Sequence, residues 1–300
     1  MSGTILSLIA APASNALTQE AIDKALAAAG LQAAAGTWLA AGEAWETTLE
    51  GNTPATATLR TSLAAPLEGR PVDVNVLPAR GPRRKKLLVA DMESTIIEQE
   101  CLDELAEFAG IRARIAAITE RAMRGELDFE AALKERVGLL EGLDAQILQE
   151  IYDKRVTLMP GAETLIATLR KHGATCALVS GGFTFYTERI ATRLAFDLQQ
   201  ANKLHIANGK IAGTVAEPIL GRQAKLEALE RIARERGLTP LDGLAVGDGA
   251  NDLAMLKAAG LGVAFRAKPI VAAEAQASVR HGDLTALLYL QGYARSEWAS

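Results

Sequence analysis

The sequence has few of the features that mark secreted or membrane proteins. Its only cysteines, Cys101 and Cys176, cannot form a disulfide framework or a Cys-x-x-Cys pair, so we expect two buried thiols in a reducing compartment. A secretory signal begins with basic residues, and none precedes Ile5. No apolar run reaches the roughly 18 residues of a membrane helix. We therefore expect a cytoplasmic protein that does not bind membranes.

The sequence also has no excess of basic residues. Lysine and arginine number 32 against 36 aspartates and glutamates, and the formal net charge is -4. A nucleic-acid-binding domain would need a basic face, so nucleic acid is not expected as a partner. The exception is a basic run between Arg80 and Lys86, which we interpret as a solvated linker.

Motifs of several common enzyme classes are missing as well. The three histidines, His172, His205 and His281, lack the paired spacing of zinc ligands. There is no Gly-x-x-x-x-Gly-Lys-Ser/Thr phosphate loop, and Ser180 lacks the glycine two residues earlier that the nucleophile elbow of serine hydrolases needs. Zinc, P-loop and triad hydrolases are therefore disfavoured.

What the sequence does have is an apolar composition, with 49% hydrophobic and 4% aromatic residues, which is typical of an α/β enzyme. The first 80 residues predict a βαββαβ order, with strands at 4–10, 33–40, 43–49 and 71–78 and helices at 18–29 and 54–66. This order is typical of a ferredoxin-like domain. A Gly-Pro pair at 81–82 breaks the pattern, so we assign residues 1–80 to a first domain and place the boundary near 79–85.

Residues 81–300 predict a second α/β domain. Its predicted strands are 86–90, 174–179, 243–247 and 261–265, its predicted helices are 161–172 and 222–236, and Asn208-Gly209 predicts a hairpin. Residues 96–158 contain no convincing strand, and their apolar residues recur three or four apart, as in helices. We therefore predict a Rossmann-like core with an inserted helical cap over about 97–159.

Acidic residues follow two of these strands. The run Asp-Met-Glu-Ser-Thr occupies 91–95, and the run Gly-Asp-Gly-Ala-Asn-Asp occupies 247–252. The carboxyl ends of neighbouring parallel strands share one crevice, so we expect these carboxylates to meet in space. Hard oxygen ligands such as Asp91, a main-chain carbonyl and Asp248 are suited to Mg²⁺ and a phosphate.

The residue types in this crevice are those that hydrolyse a phosphate monoester. Asp91 would attack phosphorus, and Glu93 would protonate the leaving alkoxide and later deprotonate water. The Ser180 hydroxyl and the amides of Gly181 and Gly182 would donate to the phosphoryl oxygens.

Lys225 would add positive charge to the same site, and Asn251 and Asp252 would orient the lysine and the water shell of the metal, with Asn251 also counted among the substrate-binding residues. Taken singly, Asp91 could be an ordinary helix cap and Lys225 a solvated helix residue. Their joint order along the chain, in register with the strands, favours the catalytic interpretation.

The order of these motifs resembles the haloacid dehalogenase superfamily, and residues 86–290 are similar to its phosphoserine phosphatase family. That family has Asp-x-Asp-Ser-Thr as its first motif and a glutamate nine residues after the nucleophile, and here Glu100 stands at that distance from Asp91. The resemblance implies Mg²⁺-dependent hydrolysis of O-phospho-L-serine through an aspartyl-phosphate, the last step of serine biosynthesis.

The cap carries the residues that would select the substrate. Segments 128–130 and 134–137 resemble the family segment that supplies a substrate-binding arginine. The resemblance implies that Arg136 grips the phosphoserine carboxylate and that Glu100 holds its ammonium group. Met123 and Phe129 match the family's apolar wall, although either could equally belong to the core of the cap.

The sequence departs from the family pattern at Glu93, where the family has aspartate. The resemblance implies that the main-chain carbonyl of Glu93 contacts the metal, so the longer side chain should leave coordination intact while moving the acid by about 1.5 Å. A misplaced acid can cost about 100-fold in rate. We expect the neighbouring backbone to compensate; slow turnover, or phosphoryl transfer to another alcohol, are the alternatives.

The first domain resembles an ACT-like domain, which suggests amino-acid sensing or a homodimer interface. Two further functions therefore stand beside phosphoserine hydrolysis. One is a phosphotransferase or a phosphatase for another small phosphate ester, and the other is a non-enzymatic amino-acid-binding regulator. The intact set of Asp91, Lys225 and Asp248 argues against the regulator.

Overall fold

The computed structural model describes residues 3–31, 35–49, 56–78, 81–124 and 126–299, and gives only the backbone of Pro78 and Met123. The beginnings of the elements predicted at 33–40 and 54–66 lie outside these residues. The described chain forms a four-stranded sheet, a six-stranded sheet and a two-stranded hairpin. Within it, no helix combines the length and the apolar character needed to cross a bilayer.

The first domain is an antiparallel sheet with two helices on one face. Its elements are β1 (Thr4–Ala10), α1 (Gln19–Ala28), β2 (Thr37–Ala40), β3 (Ala44–Leu49), α2 (Thr56–Ala64) and β4 (Val72–Pro78). The strand order is β2-β3-β1-β4, as the ferredoxin-like prediction requires. Successive side chains of a strand point to opposite faces, so Leu6 and Leu8 pack with the two helices, whereas Ile9 packs against the second domain.

The helical cap follows the first strand of the second domain. That strand is β5 (Leu87–Ala90), and the cap contains α3 (Cys101–Phe108), α4 (Arg112–Met123), α5 (Phe129–Gly138) and α6 (Gln146–Lys154). The two segments that lead into and out of the cap are joined by an antiparallel bridge between Ile97 and Leu158. The predicted all-helical insertion is therefore observed, with a short antiparallel pairing at its base.

The rest of the second domain is a parallel sheet between helices. Its elements are α7 (Ala162–Lys171), β6 (Thr175–Phe183), α8 (Thr184–Leu194), β7 (Leu198–Asn202), the hairpin β8 (Leu204–Ala207) and β9 (Lys210–Val215), α9 (Arg222–Glu235), β10 (Gly243–Gly247), α10 (Leu253–Ala258), β11 (Leu261–Phe265), α11 (Pro269–Glu274), β12 (Ala277–Val279) and α12 (Ala286–Tyr289). The sheet order is β12-β11-β10-β5-β6-β7. Both cysteines are buried and free, as expected.

One strand is longer than predicted. The sequence predicted that a strand at 174–179 ends in a turn at Ser180, but β6 continues to Phe183. Its pairing with β7 shifts register between Val179 and Phe183, so the intervening residues form an irregularity within the strand. Two glycines permit this, because a bulge needs backbone freedom and little side-chain bulk.

The two domains meet along β4 and β12 through buried polar contacts. The Asn75 amide donates to the Ser278 carbonyl at 3.1 Å and accepts from the Ser278 N–H at 2.8 Å. The buried Asp73 carboxylate accepts three main-chain N–H groups, from Arg280, His281 and Gly282. These contacts satisfy polar groups at the edges of both sheets.

The solvated-linker interpretation of the basic run is wrong for residues 83–85. Lys85 is buried, and its ammonium group donates to the Leu241 carbonyl at 3.0 Å. Arg83 forms an ion pair with Glu46, and Arg84 forms one with Glu297 at 2.8 Å. Only Lys85 is buried, while Arg83 is half-buried and Arg84 stays exposed, but all three contact residues distant in the sequence, which local charge cannot reveal.

Candidate active site

A buried acidic cluster lies where β5 and β10 end. The two strands run parallel with Ala90 opposite Val246, so the residues that follow them share the carboxyl edge of the sheet. One carboxylate oxygen from each of Asp91, Asp248 and Asp252 lies within 4.8 Å of the others. The predicted meeting of the two acidic runs therefore occurs.

Lys225 of α9 lies within this cluster and is 2% exposed. Its Nζ is 2.8 Å from Asp91 Oδ1 and 2.6 Å from Asp252 Oδ1. Burial by itself would lower the pKa of Lys225, but the two carboxylates outweigh burial and raise it. The lysine is therefore held as a fixed cation against the carboxylates.

The cluster carries more negative than positive charge, which favours binding of a divalent cation. Three carboxylates face one ammonium group, so two negative charges are unbalanced when all are ionised. Burial is the largest influence on Asp91 and raises its pKa; Lys225 opposes this, and Asp252 adds to it. Burial and Asp252 also raise the pKa of Asp248 to about 6. Oxygen ligands with surplus negative charge fit Mg²⁺.

The Ser180 segment lies beside the cluster at the end of β6. Ser180 is 1% exposed, and its Oγ accepts the Gly182 N–H at 2.9 Å. A Cβ added to Gly182 would lie 2.7 Å from Glu93 Oε2, and one added to Gly181 would lie 3.3 Å from the Phe129 ring. A side chain at Gly182 would therefore displace the Glu93 carboxylate, whereas one at Gly181 would need only a small shift of the Phe129 ring.

Glu93 is held between the core and the cap. Its Oε1 accepts the Cys101 N–H at 2.8 Å, at the start of α3, while Oε2 faces Gly182. Burial, with the nearby Glu100 charge, raises the pKa of Glu93 to about 7. A carboxyl group with this pKa can donate and accept a proton near neutral pH.

The predicted substrate-selecting residues come from the cap side. Glu100 is exposed and accepts a hydrogen bond from the Ser94 hydroxyl at 2.7 Å. Arg136 is partly buried, and burial lowers its pKa while the charges of Glu93 and Glu100 act in the opposite direction. Asp103 acts in the same direction as these glutamates, and Arg136 Nε donates to the Ala132 carbonyl at 3.2 Å. The Met123 side chain lies outside the described part of the chain.

Asp252 and Asn251 have different surroundings. Asp252 contacts Lys225 and also accepts the Gly249 N–H at 3.0 Å, whereas the Asn251 side chain lies against Gly249. Among the described residues, Asn251 makes no hydrogen bond to Lys225. Asp252 therefore makes the predicted contact with the lysine, whereas the predicted roles of Asn251 towards the lysine, the water shell of the metal and the substrate stay predictions.

One polar residue at the site escaped the sequence analysis. Asn202 ends β7, is 2% exposed and donates to the Gly181 carbonyl at 2.8 Å. Sequence reasoning missed it because β7 is a polar edge strand without an alternating pattern. The signal that could have identified it is its position just before the hairpin predicted by Asn208-Gly209.

The chain resembles known phosphatases in sequence. Residues 88–257 match the family described as haloacid dehalogenase-like hydrolases. A phosphoserine phosphatase of Streptomyces coelicolor is 44% identical over 243 residues, which cover 81% of this chain and 59% of that protein. The chain spans less than two thirds of the length of this protein and of four other curated phosphoserine phosphatases.

Solved structures resemble the fold. The unliganded crystal structure of a probable phosphoserine phosphatase from Vibrio cholerae has a TM-score of 0.80 and 33% identity, covering 98% of this chain and 88% of its own. A phospho-aspartyl intermediate analogue of a phosphoserine phosphatase has a TM-score of 0.64 and 41% identity, covering 68% of this chain and 98% of its own. The first match extends over both sheets and confirms the predicted fold class.

Proposed function

Because the chain belongs to the haloacid dehalogenase-like hydrolases, we propose that it is a Mg²⁺-dependent phosphoserine phosphatase that hydrolyses O-phospho-L-serine to L-serine and phosphate. The observation that carries this proposal is the buried contact of Lys225 with Asp91 and Asp252. A fixed cation beside a buried carboxylate suits attack on a phosphoryl group. The relatives named as phosphoserine phosphatases support the choice of substrate.

Asp91 is the nucleophile in this proposal. Its carboxylate attacks phosphorus, the bond to the serine oxygen breaks, and water then hydrolyses the aspartyl-phosphate. A structural relative captured as a phospho-aspartyl analogue supports such an intermediate. Lys225 stabilises the negative charge that gathers on the transferring group, and Asp252 keeps the lysine in place.

Ser180 and the Gly182 amide bind the phosphoryl oxygens. In the described part of the chain, the Ser180 hydroxyl accepts one hydrogen bond and donates none, so its hydrogen is available to a ligand. The carboxylates of Asp91 and Asp248 and the main-chain carbonyl of Glu93 would hold Mg²⁺. When bound, the ion would neutralise charge on the phosphoryl oxygens.

Glu93 acts as the general acid and then as the general base. Its pKa of about 7 keeps a large fraction of the carboxyl protonated at neutral pH. The Cys101 N–H and the lack of a side chain at Gly182 accommodate the extra methylene, which supports compensation by the surrounding backbone. The proton passes to the serine oxygen as the phosphorus–oxygen bond breaks.

The amino-acid part of the substrate is recognised from the cap. Arg136 would pair with the substrate carboxylate, and Glu100, oriented by Ser94, would accept the ammonium group. Phe129 would form an apolar wall over Gly181. In a serine-producing cell this reaction would be the last step of serine biosynthesis.

The test is phosphate release from L-phosphoserine, phosphothreonine and a generic aryl phosphate, with and without Mg²⁺. Asp91→Asn serves as the blank, because it keeps the shape of the side chain but removes the nucleophilic oxygen. We expect a strong preference for phosphoserine that disappears in the blank and without metal.

Other outcomes separate the alternatives. Activity on the aryl phosphate alone would retain the phosphatase chemistry and reject the roles of Glu100 and Arg136. Serine release without stoichiometric free phosphate, in the presence of an added alcohol, would indicate a phosphotransferase. A complete lack of turnover with intact Mg²⁺ binding would contradict the proposal.

A further inference from the structure

Asn202 connects two loops of the candidate site through its side-chain amide. Nδ2 donates to the Gly181 carbonyl at 2.8 Å and to the Leu220 carbonyl at 3.3 Å, and Oδ1 accepts the Leu220 N–H at 2.7 Å. All three partners are main-chain groups. A buried amide with this many partners is costly to replace, because its loss leaves several buried polar groups unsatisfied.

The first loop is the phosphate-binding segment. The Gly181 carbonyl and the Gly182 N–H belong to the same planar trans peptide, so they point in opposite directions. With the carbonyl held by Asn202, the N–H is directed at Ser180 Oγ, 2.9 Å away. A peptide between two glycines has little steric resistance to rotation. The hydrogen bond from Asn202 therefore selects the orientation that directs the N–H towards Ser180 Oγ, the side on which the proposed function places the phosphoryl oxygens.

The second loop leads into the helix that carries Lys225. Leu220 precedes Gly221, and α9 begins at Arg222 without a side-chain cap. Asn202 fixes both main-chain groups of Leu220 and therefore the start of that helix. The Phe129 ring from the cap rests against both loops, since a Cβ on either Gly181 or Gly221 would lie 3.3 Å from it.

We infer that Asn202 is a positioning residue for phosphoryl transfer. It does not touch the phosphate but sets the direction of the Gly182 N–H and the spacing between the Ser180 segment and the Lys225 helix. This inference rests on the proposed phosphatase function and adds a residue to it. Its effect is on the phosphoryl group, which every substrate shares, and not on the serine moiety.

Two variants test the inference. Asn202→Asp keeps the shape but replaces both donated hydrogen bonds with repulsion between oxygens, and Asn202→Ser removes the amide if the first variant does not fold. Asn75→Ser is the matched control, because Asn75 is equally buried and its amide also bonds main chain, but at the contact with Ser278. Thermal unfolding is measured for all three.

The readouts are kcat/KM for phosphoserine and for an aryl phosphate, and the affinity for orthovanadate measured by calorimetry. We expect Asn202 variants to lose about 10- to 100-fold in kcat/KM on both substrates, with a parallel loss of vanadate affinity. Asn75→Ser should lose stability but keep both values. Folded Asn202 variants that bind vanadate as the parent does would overturn the inference.

Measuring vanadate affinity allows the role of Asn202 to be tested even if the proposed substrate is wrong. If the parent chain binds vanadate but does not hydrolyse phosphoserine, the proposed substrate fails while the role of Asn202 is still measured. If neither Asn202 variant folds, a crystal structure of the parent chain with vanadate decides. The Gly182 N–H should point at a vanadate oxygen with the Gly181 carbonyl still on Asn202, and a carbonyl that has turned away would contradict the inference.

Discussion

The two halves of the candidate site differ in how firmly they are built. The half on the core sheet consists of buried charged groups in direct contact, with Lys225 between Asp91 and Asp252. The half on the cap consists of an exposed Glu100 and a partly buried Arg136. The groups assigned to bond breaking are therefore fixed by the fold, whereas those assigned to substrate selection lie at the boundary between core and cap.

This difference fits an enzyme whose cap moves relative to its core. The cap is attached through the antiparallel pairing of Ile97 with Leu158 and by main-chain hydrogen bonds to the β8–β9 hairpin, including Gly142 N–H to the Ile211 carbonyl at 2.9 Å. We expect cap and hairpin to move together when substrate enters, because a shift of one alone would break these bonds. The preorganised half would then act on any phosphoryl group that the cap admits.

The largest expected effect comes from replacing Asp91, the proposed nucleophile. It belongs to the half of the site on the core sheet, which we call the fixed half. Asp91→Asn should lower kcat by about 10,000-fold or more on every phosphate ester, since an amide cannot form the proposed aspartyl-phosphate. Initial rates of phosphate release with phosphoserine and an aryl phosphate measure this. If the variant retained activity on the aryl phosphate, the fixed half would not be the catalytic unit that all substrates share, and the distinction between the two halves would be wrong.

Replacing the fixed cation should have the next largest effect. Lys225→Met keeps an unbranched side chain one atom shorter but leaves the carboxylates without their partner, and we expect a loss of about 100- to 1,000-fold in kcat on both substrates. The control is Lys257→Met, which removes an exposed lysine of α10. A loss confined to KM would show that Lys225 contributes only to binding.

A change in the cap half should separate substrates instead of abolishing chemistry. Arg136→Ala should lower kcat/KM for phosphoserine by about 100-fold, because a charge-assisted pair with the substrate carboxylate is lost, and should leave the aryl phosphate almost unchanged. Arg112→Ala, an exposed arginine of α4, is the matched control. An equal loss of kcat/KM on both substrates would mean that Arg136 takes part in the chemistry that all substrates share. The two halves of the site would then not have separate roles.

The same division explains what the sequence could and could not predict. Asp91 and Asp248 follow short apolar strands, and such local patterns can be recognised in the sequence without knowledge of tertiary contacts. The sheet then brings the strand ends together by a general rule of parallel topology. The fixed half was therefore predictable as a cluster, including the acidic partners of Lys225.

Features that depend on packing were not predictable. The contact of Glu93 with the Cys101 N–H requires the position of the cap relative to the core, and the bonds of Asn202 require an edge strand that has no apolar alternation. The burial of Lys85 depends on residues more than 150 positions away. In each case the missing information is a tertiary contact, which overrides local composition.

The smallest expected effect concerns the stability of the metal-free protein. The pKa of Glu93 is raised from 4.5 to about 7 and that of Asp248 from 3.8 to about 6. The folded state therefore holds these protons more tightly than the unfolded state. Their contribution to stability is present in full below about pH 4 and is lost as pH rises through 6 to 7.

Thermal unfolding between pH 5 and pH 8, in the presence of a chelator, tests this sign. We expect the midpoint to fall by a few degrees as pH rises, and added Mg²⁺ to restore more at pH 8 than at pH 5, since a bound cation stabilises the ionised carboxylates. Glu93→Gln should flatten part of the slope because it removes one titrating group. A midpoint that rose with pH would mean that Lys225 alone neutralises the cluster, and the fixed half would then need no metal for its stability.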